Sequence, residues 1–150
     1  MPLSSPTSIF SPATILLNDL KKIKCNGQSF SVAGLEDLWY AHTDLKKALK
    51  NADSKSPIIL MMHNPDSFPD TPQSVALSVA GHTHGGQIRI PFIGAVASAV
   101  PSHYGTRYVG GHIHEDGKDL VVSRGLGMSV LPLRFLCPPE ITVVTLEKSD

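Results

Sequence analysis

Three histidines of this chain stand where they could hold metal ions. His63 opens the run His63-Asn64-Pro65-Asp66, while His82 and His84 lie in Gly81-His82-Thr83-His84-Gly85-Gly86. Neutral imidazole is a borderline ligand suited to zinc, iron, manganese and other first-row ions. The glycines on both sides of the pair remove Cβ obstruction and allow backbone angles at which the two rings splay apart. The tetrad can therefore serve two ions instead of chelating one. Spacing alone also fits a plainer role, loop histidines that only hydrogen-bond. The glycine bracket and His63 move the balance toward metal.

Other chemistries fare worse. A second tetrad, Gly111-His112-Ile113-His114, repeats the spacing inside a predicted hairpin strand, where i and i+2 share a face. It reads as a solvated strand surface. His42 and His103 have no partners in sequence and read as structural or exposed. There is no GxSxG elbow, no CxxC pair around Cys25 or Cys137, and no GxGxxG or P-loop pattern. Serine hydrolase, cysteine protease, zinc-ribbon and common nucleotide-binding readings are thereby set aside. Arg89, Arg107, Arg124 and Arg134 lie near the motifs and suit a phosphate contact or a structural salt bridge equally well. No side chain is assigned a catalytic or substrate-binding role.

Strand ends must position the three histidines. Ile58 to Met62 is an unbroken apolar run that predicts a strand buried on both faces and ending at His63. Val75 to Ala80 predicts a second strand running directly into Gly81-His82. In open α/β sheets ligands gather outside the carboxyl ends of strands, so two such endings side by side would make a site. Upstream, Asn26-Gly27 predicts a type I′ hairpin with Gln28 to Leu35 as its return strand. Thr43 to Asn51 predicts an amphipathic surface helix with Thr43 as N-cap. Gln87 to Ile90 resumes as a strand, and Pro91 to Pro101 has no clear period. Arg107 to His114 and Asp119 to Ser123 predict a second hairpin around Asp116-Gly117. Leu131 to Pro139 is irregular, and Ile141 to Leu146 predicts a closing strand.

The whole chain, 150 residues with 41% hydrophobic and 17% charged residues, fits one globular domain. A net charge of +0 gives no signal for nucleic acid or for a membrane surface. Residues 1–12, rich in proline and serine, read as a loose tail ahead of a partial domain at 13–150. No apolar run approaches the roughly 20 residues of a membrane helix, so a soluble, cytoplasmic protein with reduced cysteines is expected.

His63-Asn64-Pro65-Asp66, Gly81 to Ile88, Val122-Ser123-Arg124-Gly125-Leu126-Gly127, Arg134-Phe135 and Pro139-Glu140-Ile141 occur in an order and spacing that resembles the calcineurin-like metallophosphoesterase family. The likeness is greatest to the branch with the extended GHTHGGQ signature and covers residues 13 to 147. It implies an α/β fold, the C-terminal portion of a two-sheet sandwich with flanking helices. It implies a phosphoester substrate and two divalent metal ions of the manganese, iron or zinc type at the strand ends. His63 and His82 correspond to ligands of one ion and His84 to a ligand of the other. Residues 111 to 114 fall where the family has an ordinary strand.

The family's N-terminal signatures, DxH, GDxxD and GNH, are not found here; His42-Thr43-Asp44 reverses the first and Gly34-Leu35-Glu36-Asp37 misses the second. They carry the bridging aspartate and the histidine thought to protonate the leaving group. Two divalent cations held about 3.5 to 4 Å apart need anionic charge between them, and three neutral imidazoles supply none. The expectation is a C-terminal fragment, inactive alone, whose exposed strands need an N-terminal half or self-association to cover them. A non-catalytic metal-binding or interaction module, or a truncated degenerate gene product, are the alternatives.

Overall fold

The structure, a computed structural model, describes residues 13–25 and 27–147. The expected loose tail at 1–12 lies outside the described residues. Strands β1 (Asp19–Cys25) and β2 (Gln28–Gly34) pair antiparallel with Cys25 opposite Gln28, the register of a two-residue loop. Gly27 takes φ +77°, as such a turn requires; Asn26, the other residue of the predicted turn, lies outside the described residues. Lys21, Lys22 and Lys24 line β1, the sheet's first edge, where charge discourages further pairing.

Helix α1 (Leu45–Leu49) starts one residue later than predicted. Its cap is Asp44, not Thr43: the Asp44 carboxylate accepts from the Lys47 amide at 2.8 Å. The Asp44 amide itself donates to buried Asn18 at 3.1 Å, which holds this residue outside the helix at φ −131°.

Strands β3 (Ile58–Met61) and β4 (Leu77–Ala80) come next, then the short ribbon β5 (Arg89–Ile90) and β6 (Gly94–Ala95), and the hairpin β7 (Gly111–Glu115) and β8 (Lys118–Val122). Six strands form one mixed sheet in the order β1-β2-β3-β4-β8-β7, parallel from β2 through β8 and closed by antiparallel edges. The Asp116-Gly117 turn has φ +52° and +70°, as predicted from Asp-Gly. Its hairpin begins at Gly111 and not at Arg107, because Tyr108 turns inward and packs, fully buried, edge-on to Phe68 at 5.7 Å between ring centroids. Within Pro91 to Pro101, where no element is predicted, lie β6 and a 3-10 turn at Ala97–Ala99.

The core fills one side of this sheet. Ile58, Leu60, Leu120 and Val122 point into it and meet Ala48 of α1, Phe68 and Tyr108. On the reverse side Ile59, Val79 and Val121 are only half-buried and Met61 is 51% exposed. The expectation that Ile58 to Met62 is buried on both faces is therefore wrong for this structure: only the residues in phase with Ile58 have a packed layer over them. The predicted closing strand at Ile141 to Leu146 also fails to form. Among the described residues no strand lies beside it, and it runs across the reverse side of the sheet without a ladder. No helix among the described residues is long and apolar enough to cross a membrane.

Candidate metal centre

β3 and β4 are adjacent parallel strands, with Met61 in register with Val79. The chain therefore delivers His63 and His82 to neighbouring strand ends, as the sequence predicts. Their nearest ring nitrogens, His63 Nε2 and His82 Nδ1, lie 3.0 Å apart. Trp39 also packs against His82, with centroids 4.5 Å apart and the planes perpendicular. His82 Nε2 is buried without a hydrogen-bond partner. Burial, then the neighbouring His63, holds the His82 pKa below the usual imidazole value, although Asp37 and Asp66 pull the other way. His82 is thus neutral near pH 7, the form that carries a free lone pair.

His84 lies two residues further along the same loop. Its Nδ1 lies 3.1 Å from the Gly127 carbonyl, which fixes the ring with Nε2 as the remaining donor atom. The loop pays for this display in backbone strain: His82, His84 and Gln87 adopt φ of +67°, +52° and +51°, each a cost of order 1 kcal/mol or more for a non-glycine residue. What keeps it there is a set of side chains that bond its backbone. Buried Thr83 donates to the Val109 carbonyl at 2.9 Å. The thiol of buried Cys137 lies 3.4 Å from the carbonyls of both His84 and Gly85. The Gln87 amide donates to the carbonyls of Ser129 and Leu131 and accepts from the Ser129 amide. Gly85 and Gly86 are required by close approach: a Cβ on Gly86 would lie 2.5 Å from that of Ala95, and one on Gly85 would lie 2.7 Å from the Cys137 sulfur.

The most connected of these side chains is Arg134. Its guanidinium donates to the carbonyls of His84, Arg124, Gly125, Gly127 and Cys137. The arginine left unassigned in sequence is thus a clamp joining the histidine loop to residues 124–127 and 134–137. Six bonds to five main-chain oxygens occupy a side chain that the sequence alone allows to reach phosphate. Arg107 likewise pairs with Glu115 at 2.8 Å. Asp37 and Trp39, which face His82, were missed by motif reading; their only signal is the lone tryptophan of the chain beside an acidic pair.

The donor set suits a cation in part. Two nitrogens about 2.05 Å from one ion would lie roughly 2.9 Å apart at a right angle and roughly 3.35 Å apart at the tetrahedral angle; the 3.0 Å between His63 and His82 falls in that range and is also the length of a hydrogen bond between the two rings. Among the described residues, however, no group of three or more histidine, cysteine or carboxylate side chains is close enough to hold an ion.

The chain is 39% identical over 126 residues to the metallophosphoesterase YkuE of Bacillus subtilis (strain 168), covering 83% of this chain and 43% of that protein. It is 33% identical over 136 residues to the phosphodiesterase YaeI of Escherichia coli (strain K12), covering 89% and 47%. The chain belongs to the metallophosphoesterase family. A further relative, UDP-2,3-diacylglucosamine pyrophosphatase LpxG of Chlamydia muridarum (strain MoPn / Nigg), is 32% identical over 122 residues, 76% of this chain and 36% of that protein. This metallophosphoesterase chain spans less than half the length of the relatives named. No family model matches the sequence, and no solved structure matches it.

Proposed function

We propose that the chain carries the histidine side of a two-metal site for phosphoester hydrolysis, with His63 and His82 holding one divalent ion and His84 the other. The observation that carries this is the convergence of His63 Nε2 and His82 Nδ1 to 3.0 Å at neighbouring strand ends. The names of the relatives, metallophosphoesterase and phosphodiesterase, support the reaction class. Such a metal pair, when bound, polarises the phosphoryl group and supplies a hydroxide nucleophile near neutral pH.

The chain's own contribution is orientation. Gly127 fixes the His84 tautomer through its carbonyl, and Arg134, Cys137 and Thr83 hold the strained backbone of the loop that carries His82 and His84. Asp37 and Asp66 lie near enough to act on His82, but among the described residues no carboxylate completes a group of three able to hold an ion, so on this reading the remaining ligands lie in the additional length of the relatives. The isolated chain is then inactive.

The test is hydrolysis of a chromogenic phosphodiester with manganese, using the chain alone, the chain mixed with the unmatched half of the Bacillus subtilis relative, and the mixture containing His82→Ala. Turnover only in the mixture, lost in the variant, is the expected result. Turnover by the chain alone would overturn the divided site, and one tight manganese site with no turnover in any mixture would favour a non-catalytic metal-binding module.

A further inference from the structure

An imidazole that binds metal needs something to hold its ring, and in most sites a hydrogen bond at the second ring nitrogen does so. His84 follows that rule, with Nδ1 3.1 Å from the Gly127 carbonyl. His82 is held by rings: its centroid lies 4.7 Å from that of His63, with 68° between the planes, and 4.5 Å from that of Trp39, with the planes perpendicular. Perpendicular packing at such a separation is a favoured geometry for a pair of rings.

Trp39 reaches His82 from a loop, residues 36–44, that one buried side chain closes at its base. Asn18 is 3% exposed, and its Oδ1 accepts the amides of Glu36 and Asp44, each at 3.1 Å. Its Nδ2 donates to the Glu36 carboxylate at 3.0 Å and to the His42 carbonyl at 2.6 Å. Inside the loop the Asp37 carboxylate accepts the Trp39 and Tyr40 amides at 2.8 and 2.9 Å, and the Ala41 amide donates to the Asp37 carbonyl at 3.1 Å. The indole therefore starts from a backbone bonded at both ends and at its turn. Tyr40, its neighbour in the loop, stands 89% exposed.

We propose that Trp39 is a positioning residue of the metal centre: its indole restricts rotation of the His82 ring and so presents His82 Nδ1 toward His63 Nε2. Loop 36–44 and its Asn18 base are then part of the site's framework. A ring that is ordered only when the ion arrives gives up its rotamer freedom at that moment, whereas a ring already packed does not, so the packing appears as affinity. This inference deepens the proposed function and rests on its assignment of His63 and His82 to one ion.

The test uses the full chain and cobalt(II), an ion that imidazole binds well. Calorimetry reads the part of the binding that His82→Ala removes, which sets aside any ion taken up elsewhere on the chain. Trp39→Ala is expected to bind about tenfold more weakly, the lower end for groups that orient ligand histidines. Trp39→Phe, which keeps a ring, stays close to wild type, and Tyr40→Ala is unchanged. Trp39→Leu takes the place of Trp39→Ala if circular dichroism shows the alanine variant unfolded. The chain has one tryptophan, so fluorescence supplies a signature that a merely structural role would not produce: cobalt quenches Trp39 in wild type and not in His82→Ala.

His82-dependent binding that is equally tight without the indole overturns this inference and leaves the proposed function standing. An equal loss in Tyr40→Ala overturns it too, since the effect would then belong to the whole loop, as does an equal loss in Trp39→Phe, since a ring would not suffice. Wild type without His82-dependent binding or quenching would overturn both.

Discussion

The chain contains the same tetrad pattern twice, Gly-His-x-His at 81–84 and at 111–114, and the two copies share almost nothing in structure. The first is a loop with left-handed backbone at both histidines, pinned by Arg134, Cys137 and Thr83. The second is a regular edge strand whose histidines share a face and both reach one oxygen of Asp119, at 2.6 and 3.1 Å, in open solvent. Four residues do not define a site. The copies are separated by the residues on their C-terminal side: Gly85-Gly86 lets the first loop fold against Ala95 and Cys137, whereas Glu115 and the Asp116-Gly117 turn carry the second into a ladder.

The largest effect that sharpens this contrast is on catalysis. In the two-component mixture His82→Ala lowers manganese-dependent turnover more than about 100-fold, since even residues behind metal ligands are worth roughly 10- to 100-fold. His112→Ala and His114→Ala leave it within about twofold, as expected for surface groups without a role. Equal losses at both tetrads, read by initial rates, would break the distinction.

Next is the clamp. Arg134→Met removes the donor shared by five carbonyls and lowers stability by about 2 kcal/mol in urea unfolding, in keeping with the loss of several charge-assisted bonds at once. Arg107→Met, which loses the exposed pair with Glu115 and the contact with the Tyr104 and Tyr108 rings, lowers stability by less than about 1 kcal/mol. A neutral Arg134→Met would show that the first loop holds its strained shape unaided.

The glycines make a finer comparison. Gly86 and Gly111 both have positive φ, +79° and +90°, but only Gly86 would clash through an added Cβ; the same atom on Gly111 meets nothing within 4 Å. Gly111→Ala therefore costs the backbone term of about 1 kcal/mol, and Gly86→Ala costs at least about 1 kcal/mol more. Thermal melting of the two variants measures the difference.

The smallest effect concerns pH. Hydrogen bonds from His112, then from His114, hold Asp119 below the usual aspartate value of 3.8. A depressed folded-state pKa gives stability that is present above pH 3.8 and fades as pH falls through the lower folded value. Wild type should exceed Asp119→Asn slightly above pH 3.8, with the gap closing in more acidic solution. Acid unfolding curves that stay parallel below pH 3.8 would show that the second tetrad's contact with Asp119 does not persist in solution.

Much of this was legible in the sequence, because it depends on local chemistry. Asn-Gly and Asp-Gly mark their hairpins by positive-φ preference, apolar runs mark β3 and β4, and histidines placed just after both runs must emerge at strand ends. The family, too, is carried by short ordered motifs and agrees with the named relatives. Contacts between distant segments were not legible. Whether Arg134 meets phosphate or five carbonyls, whether Trp39 covers His82, and whether one face of β3 is left open depend on which segments the sheet order makes neighbours. The strand-like residues 141–147 show the reason most plainly: propensity makes a chain extended, but a strand exists only where tertiary structure sets a second edge beside it to take its hydrogen bonds.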